Sequence, residues 1–467
     1  MREPGQILEL EKLHAVHACA DLSLRFCPSP SGFARQCARR DGALDPAFSS
    51  VETRVRLTAV TVTRLATPAP APSTATDLGV YVHCPWCLKK CPYCDFLSVA
   101  AERPALPHAA YADSVIAELE RRVGTLGEVR LVSVFFGGGT PSLWEPSELG
   151  RVLARIRDLL PRAADDVEIT VECNPTSFDL ERGQSLQAVG VNRVSIGVQG
   201  LNAERLRFLG RLHGVESGLT AVREAIESGM PRVSADFIFG VSGQAADAAA
   251  REAQIMSELG TTHLSAYALT IEPGTQFGAL ARKGKLPLLE DAAIADSFLA
   301  VEETLERAGF EHYEVSNYAR QGARSRHNVG YWIGRSYLGL GCGAWGTLYE
   351  SNQRYRYRNT PSPERYLAAA SLFAEADLSQ ASPLVASYEL ISPETALAER
   401  IMLGLRLAEG LDLERAAAEL GTELWTPERS RARDRLLAQG KLRVTGSQIA
   451  IPKAHWLLAD GILASLM

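Results

Sequence analysis

The chain has 467 residues, enough for two or three domains, and its 46% hydrophobic and 22% charged residues are typical of a globular protein. A net charge of −6 excludes a general basic surface, so nucleic acid is not an expected partner. No apolar run approaches the roughly 20 residues of a membrane-spanning helix. Nine cysteines, clustered rather than spread, indicate metal chemistry in a reducing compartment, so we expect a cytoplasmic protein.

The N-terminal stretch, residues 1–76, differs from the rest of the chain. Its hydrophobic periodicity is poor, and it ends in a linker rich in Ala, Pro, Ser and Thr. We interpret it as a disordered extension without chemistry. A targeting peptide is the alternative, and the acidic residues Glu3, Glu9 and Glu11 count against it.

Four cysteines, Cys84, Cys87, Cys91 and Cys94, then lie within eleven residues. Thiolates are soft ligands that suit iron–sulfur clusters or zinc. The run Cys87-x3-Cys91-x2-Cys94 resembles the motif of the radical S-adenosylmethionine (SAM) enzymes. That resemblance implies a [4Fe-4S] cluster held by these three cysteines, with one iron left open for SAM. A structural zinc site that also uses Cys84 is the alternative.

Short apolar runs alternate with helical patterns from residue 78 onwards, which predicts parallel strands in an α/β fold. Helical periodicity follows three of the runs, at 109–125, 149–160 and 215–229, and Gly229 ends the last of these helices. Six such units favour an open barrel over a closed eight-stranded one. The predicted strands are residues 78–83, 131–136, 167–173, 193–199, 232–240 and 262–270.

Unusual residues follow the ends of these strands. Three consecutive glycines at 137–139 follow the second strand and allow a ligand to approach the backbone closely. Glu172 closes the third strand, Gln199 closes the fourth, and Asp236 lies on the fifth. Because the carboxyl ends of parallel barrel strands share one face, we expect these groups to converge there with the cysteine loop.

Longer strings resemble one branch of the radical SAM enzymes, the oxygen-independent coproporphyrinogen III oxidase family. They include YVHCPWC, FFGGGTPS, ECNP, NRVSIGVQ, LGRLH, DFIFGVSGQ and YEVSNYAR. The resemblance runs from about residue 78 to the C-terminus and implies a partial (β/α)6 radical SAM barrel. Matched position by position, it implies SAM contacts at Tyr81, Tyr93, Gly138, Gly139, Thr140, Glu172, Gln199, Arg211 and Asp236.

Two features place the chain within that family. The decarboxylating oxidases usually carry a further cysteine two positions after the triad, and Phe96 stands there. A second branch, the HemW-type haem chaperones, lacks that cysteine and carries HNxxYW, which matches residues 327–332. This likeness implies haem binding by His327, Asn328, Tyr331 and Trp332, and delivery of haem to apo-haemoproteins.

Other interpretations of these residues stay open. Without the resemblance, a histidine and two aromatic residues could simply pack beneath the barrel. Oxidative decarboxylation of coproporphyrinogen III, another radical SAM reaction on a tetrapyrrole and a zinc-stabilised binding module are the alternative functions. Three departures from the family pattern are Cys84 in place of isoleucine, Trp345 where relatives often have histidine, and Ser242-Gly243 in place of Pro-Gly. Cys342 is a second haem-ligand candidate, although a buried structural role is usual for such a cysteine.

The C-terminal part predicts a winged-helix-like α+β domain. Helical patterns at 396–413, with an end near Gly410, at 414–421 and at 426–440 precede a hairpin around Gly446-Ser447. Its mixed charges do not favour DNA binding. We expect a barrel over 77–305, a family-specific segment with the HNxxYW motif over 306–385, including a helix near 363–376, and the last domain over 386–467. We also expect the protein to act at the membrane surface without spanning the membrane, and to form a homodimer.

Overall fold

The computed structural model describes residues 75–350, 353–370 and 382–467. The predicted N-terminal extension lies outside these residues, apart from its last two. Strands in the described part are β1 (Thr76–Cys84), β2 (Trp86–Cys87), β3 (Val99–Ala100), β4 (Val129–Gly138), β5 (Ala163–Cys173), β6 (Arg193–Gln199), β7 (Arg232–Phe239), β8 (His263–Ala268), β9 (Glu311–Glu314), β10 (Asn317–Ala319), β11 (Ser336–Leu340), β12 (Trp345–Glu350), β13 (Gln353–Asn359), β14 (Val385–Leu390), β15 (Leu411–Asp412), β16 (Arg443–Thr445) and β17 (Gln448–Ala450).

Helices in the described part are α1 (His108–Val123), α2 (Pro146–Leu159), α3 (Leu180–Ala188), α4 (Ala203–Phe208), α5 (Val215–Glu227), α6 (Ala246–Glu258), α7 (Gln276–Arg282), α8 (Asp291–Arg307), α9 (Arg326–Trp332), α10 (Pro363–Ala370), α11 (Pro393–Gly404), α12 (Leu413–Leu420), α13 (Pro427–Ala438) and α14 (Ala459–Leu466). No helix among the described residues is both long and apolar enough to cross a bilayer.

One twelve-stranded sheet forms the body of the molecule, in the order β14-β13-β12-β11-β1-β4-β5-β6-β7-β8-β10-β9. The six predicted strands are β1, β4, β5, β6, β7 and β8; they are adjacent and parallel, as expected. A seventh parallel strand, β11, pairs with β1 and was missed. Its sequence, SYLGL, runs into a glycine-rich segment and so has the composition of a loop.

Side chains on the parallel strands alternate between two environments, because successive residues of a strand face opposite sides. Val80, Val82, Val134 and Phe136 are fully buried in the core between sheet and helices. The residues between them, such as Tyr81 and Phe135, belong to a separate aromatic cluster that faces the barrel interior. This alternation places polar and aromatic groups inside the barrel.

The C-terminal part has α11, α12 and α13 beside a three-stranded sheet of order β15-β17-β16. The predicted hairpin is present as β16 and β17. The prediction of a helix over 396–413 is wrong at its end, since α11 stops at Gly404. Gly410 instead adopts a φ of +73° where the chain passes against the backbone of Ile449, so close that a Cβ would overlap it. The predicted helix near 363–376 is present as α10 up to residue 370, and 371–376 lie outside the described residues.

Candidate functional site

The cysteine loop lies at the carboxyl end of β1. Cys87, Cys91 and Cys94 are partly exposed and line one cavity of about 180 Å³, measured as space open to the centres of water molecules. The loop is closed by hydrogen bonds from Cys94 N to Cys91 O (3.2 Å) and from Ala101 N to Cys87 O (2.9 Å). Cys84 is only 2% exposed, belongs to the hydrophobic core and does not line this cavity. The structure therefore separates three cysteines from the fourth.

Side-chain hydrogen-bond donors, one of them cationic, contact two of the three thiols. Thr140 Oγ1 donates to Cys87 Sγ at 3.3 Å, and Arg211 Nη1 donates to Cys91 Sγ at 3.6 Å. Burial raises the pKa of the Cys94 thiol to about 12 and also raises that of Cys87. Thiols in such a site ionise when a metal ion binds them, and the nearby cations then stabilise the thiolates.

In the described part of the chain, no group of three or more His, Cys, Asp or Glu side chains is arranged to hold a single metal ion. The three cavity-lining thiols are soft ligands, which suit an iron–sulfur cluster as well as zinc.

The three glycines connect the cysteine loop to β4. Gly139 N donates to Cys84 O at 2.7 Å, and Thr140 N donates to Trp86 O at 2.8 Å. Gly138 has a φ of +109°, and a Cβ there would lie 2.5 Å from the ring of His83. The glycines therefore allow the backbone to pass between the cysteine loop and His83.

Two carboxylates, those of Glu172 and Asp236, form part of the cavity wall. Glu172 Oε2 accepts a hydrogen bond from Gly138 N at 3.1 Å. The Ser195 hydroxyl donates one bifurcated hydrogen bond to Asp236, with Oγ 2.9 Å from Oδ1 and 3.0 Å from Oδ2. Burial, with a smaller contribution from the negative charge of Asp236, raises the pKa of Glu172 to about 8. A cationic ligand would favour the ionised form of Glu172.

Gln199 and Arg211 complete this wall. Gln199 has a φ of 67°, the only positive φ of a non-glycine residue among the described residues. Such strain persists where the surroundings impose it, and it clusters at functional sites. Arg211 Nη2 donates to Gly197 O at 2.9 Å, whereas its Nε atom is buried and has no hydrogen-bond partner in the described part of the chain.

All but one of the predicted SAM residues line this cavity. Tyr81 is the exception; it is 5% exposed and lines a smaller, deeper cavity of about 50 Å³ inside the barrel. The residues that line the larger cavity are Tyr93, Gly138, Gly139, Thr140, Glu172, Gln199, Arg211 and Asp236. Gly138 and Glu172 line both cavities, so the two spaces are adjacent.

Helix α9, which carries the HNxxYW residues, closes the opposite end of the barrel. Glu168 of β5 accepts hydrogen bonds from the backbone N of Arg326 (3.1 Å) and of His327 (3.0 Å) at the start of this helix. Glu168 also pairs with Arg193 at 3.4 Å, and both side chains are almost fully buried. The motif therefore lies on a short helix, Arg326–Trp332, which forms the floor of the barrel.

His327 points into the barrel from this floor. Its Nδ1 atom is 3.0 Å from Ser133 Oγ, its Nε2 atom is 3.1 Å from Tyr331 OH, and its ring stacks on Phe135 at 4.8 Å. Burial lowers the pKa of His327 to about 3, so the ring is neutral at physiological pH. Asn328 and Tyr331 line the same deep cavity, whereas Trp332 is fully buried in the hydrophobic core.

Comparisons with known proteins identify the family of this chain. Residues 81–251 match the radical SAM superfamily, and residues 391–458 match the HemN C-terminal domain. The haem chaperone HemW of Mycobacterium tuberculosis is 34% identical over 401 residues, which cover 86% of this chain and 97% of the relative. The chain belongs to the HemW family of haem chaperones. The HemW of Escherichia coli is 37% identical over 64% of this chain and 78% of its own length.

The HemW family fold is shared with an oxidase. A solved structure of coproporphyrinogen III oxidase (HemN) from Escherichia coli superposes with a TM-score of 0.68 at 20% identity, covering 84% of this chain and 90% of that chain. The predicted radical SAM α/β fold is therefore confirmed, as is the predicted family.

Some residues of this HemW-family site were missed by sequence reasoning. His83 connects Tyr81 to the cysteine loop, since its ring nitrogens lie 2.9 Å from Tyr81 OH and 2.8 Å from Leu97 O. Ser195 holds Asp236, and Glu168 holds α9. His83 stands within the same string as the cysteines and could have been noticed there. Ser195 and Glu168 carry no sequence signal beyond lying on predicted strands.

Proposed function

We propose that this chain is a haem chaperone that carries a [4Fe-4S] cluster on Cys87, Cys91 and Cys94 and binds SAM beside it. The main support is one cavity that the three partly exposed thiols line together with Glu172, Gln199, Arg211 and Asp236. The donor set fits the group: three soft ligands for an iron–sulfur cluster leave one iron open for a small molecule. When bound, the cluster supplies a redox-active iron site to which SAM can coordinate.

The chain's own residues would orient SAM. Glu172 and Asp236 supply carboxylates that can accept hydrogen bonds from an ammonium group or ribose hydroxyls. Arg211, with its unpartnered Nε, can donate to a carboxylate. Charge-assisted hydrogen bonds of this kind are each worth about 1.5–3 kcal/mol. Tyr93, Gly138, Gly139, Thr140 and Gln199 would shape the remaining walls, and Tyr81 would act from the deeper cavity.

Haem is the proposed cargo, and α9 is the proposed place where the protein meets it. The support is membership of the HemW family together with the position of His327, Asn328, Tyr331 and Trp332 on one short helix. Because both ring nitrogens of His327 already have partners, iron ligation by His327 would replace its contact with Tyr331 or Ser133. The same proposal includes delivery of haem to apo-haemoproteins. Delivery would take place in the cytoplasm, at the membrane surface, and the protein would act as a homodimer.

A direct experiment separates this proposal from the oxidase alternative. Anaerobically reconstituted protein is incubated with coproporphyrinogen III, SAM and a reductant, and a parallel sample is titrated with haem. We expect haem binding and no protoporphyrinogen IX, in line with Phe96 in the position of the extra cysteine. Decarboxylation with consumption of SAM would assign the chain to the oxidase activity instead.

The haem residues are tested by substitution. His327→Ala or Tyr331→Ala should shift the Soret band or weaken haem binding, and Trp332→Ala should weaken binding without changing the ligation, since indole offers no iron ligand. Iron content and melting temperature serve as controls for folding, because all three side chains are buried. Haem spectra that none of the three substitutions changes would show that these residues are only the packed floor of the barrel.

A further inference from the structure

A third cavity lies on the outer side of the barrel floor, next to α9. It measures about 40 Å³ as space open to the centres of water molecules. Its walls come from α9, the outer strands and α11. We call it the arginine cavity; the residues that matter for its chemistry are Tyr331, Arg335, Tyr337, Arg354, Arg356 and Met402.

Arg354 is the unusual member of the arginine cavity. It is only 8% exposed, and its Nε and Nη1 atoms are buried without a hydrogen-bond partner among the residues that the structure describes. Its guanidinium lies 5.9 Å from the ring centroid of Tyr349, the residue opposite it on β12. Burial of an unpaired guanidinium is costly, so a folded protein normally gives such a group an anionic partner.

The carboxylates that line the cavity or approach it are already engaged. Glu399 and Glu389 both pair with Arg356, the latter at 3.4 Å. Arg335 donates to the backbone O of Arg326 at 3.2 Å. Arg400 lies nearby, and its pKa is lowered by burial and further by the positive charge of Arg354. Among the described residues that line the cavity, three arginines therefore outnumber one glutamate.

The backbone of α9 and its C-terminal end makes room for these arginines. A Cβ at Gly330 would lie 2.8 Å from Arg335 Nη1, and a Cβ at Gly334, whose φ is +67°, would overlap Arg400. Gly330 is one of the two variable positions of HNxxYW. The motif helix thus supports guanidinium groups on its outer side while His327 faces the barrel interior.

The chemistry of the arginine cavity suits a carboxylate attached to a flat apolar body. A guanidinium binds a carboxylate through two parallel hydrogen bonds. Tyr331 and Tyr337, whose rings meet edge-to-face at 4.7 Å, and Met402 supply aromatic and apolar walls. The space is large enough for a few water molecules, and hence for a carboxylate arm, but too small for a porphyrin ring.

We propose that Arg354, assisted by Arg335, binds a propionate carboxylate of haem in the arginine cavity while the ring stays outside it. This inference rests on the proposed haem function, and it names the part of the ligand that the protein recognises. The carboxylate arm would supply an anionic partner for Arg354 Nε and Nη1, which no described residue provides. Tyr331 lines both the arginine cavity and the deep cavity, so it connects this subsite to the remaining motif residues.

The test compares haem with haem dimethyl ester, in which both carboxylates are blocked. Full-length wild-type protein, Arg354→Gln and the exposed control Arg365→Gln are each titrated with both compounds, and binding is followed by the Soret band. We expect wild type and the control to bind haem about ten- to hundredfold more tightly than the ester. Arg354→Gln should lose that factor for haem and bind the two compounds alike.

Melting temperatures separate this role from a structural one. Because Arg354→Gln removes a buried unpaired charge, the ligand-free variant should melt no lower than wild type. Equal binding of haem and its ester by wild type, or unchanged haem affinity in Arg354→Gln, would overturn the subsite and leave the haem function standing. Wild type that binds neither compound would overturn the haem function and the subsite together.

Discussion

Substitution of Glu172 by glutamine tests the geometry of the proposed SAM site through two independent effects. In the ligand-free protein the pKa of Glu172 is raised to about 8 by burial and by Asp236, from an ordinary value of 4.5. At about 1.4 kcal/mol per pKa unit, this shift disfavours the ionised form of Glu172 by at most about 5 kcal/mol. Glu172 is only half-buried, and solvent screening reduces the effect, so we expect ionisation to destabilise the folded protein by about 2 kcal/mol.

The sign of the effect follows from proton binding. Between pH 4.5 and about 8 the folded protein keeps the proton that the unfolded chain releases, so stability falls as pH rises through this window. Glutamine cannot ionise. Glu172→Gln should therefore melt about 2–4 °C above wild type at pH 8.5 and at the same temperature as wild type at pH 5. Differential scanning fluorimetry of the ligand-free proteins measures this.

The same substitution should weaken SAM binding about ten- to hundredfold, because a charge-assisted hydrogen bond is lost. Isothermal titration of cluster-loaded protein measures the affinity, and Glu181→Gln, at an exposed position on α3, is the control. A melting difference that does not change with pH would refute the environment assigned to Glu172. Unchanged SAM affinity would refute its place in the site.

Other predictions follow from single features of the site. After anaerobic reconstitution we expect a brown chromophore and roughly four irons per chain. Serine in place of any one of the three cavity-lining cysteines should abolish both, whereas Cys84→Ser should leave both intact. Stoichiometric zinc without iron would contradict this prediction. Gln199→Gly should relieve the strain of a φ of 67° and raise stability by up to about 1 kcal/mol in denaturant titrations, yet weaken SAM binding. Because the pKa of His327 is about 3 in the folded state, wild-type stability should fall as pH drops below 6.5, and His327→Phe should reduce that fall; equal acid sensitivity of the two proteins would contradict the buried neutral ring.

The barrel and the wall of its main cavity could be predicted from the sequence, because both depend on local patterns. Apolar runs separated by helical periodicity predicted the six core strands, and the rule that strand ends converge brought Glu172, Gln199 and Asp236 to one face. The seventh parallel strand, β11, was not predictable in this way, since Gly339 and the glycines after it resemble a loop. Gly339 is required there because a side chain would overlap the backbone of Trp345.

Contacts between segments that are distant in the chain could not be predicted from the sequence. Tyr81 was placed with the SAM residues, but its position on β1 directs it to the deep cavity and to His83. The alternating Arg and Tyr residues of β13 resemble an ordinary half-exposed strand. Only the packing of β13 against neighbouring elements shows that Arg354 is buried, with two of its nitrogen atoms unpartnered among the described residues.

The most direct test of the central claim is one paired measurement on anaerobically reconstituted wild-type protein: haem retained after gel filtration, and the porphyrin products formed from coproporphyrinogen III with SAM and a reductant. A haem chaperone of this kind should retain about one haem per chain and form no protoporphyrinogen IX. Protoporphyrinogen IX produced with consumption of SAM, by protein that retains no haem, would contradict it.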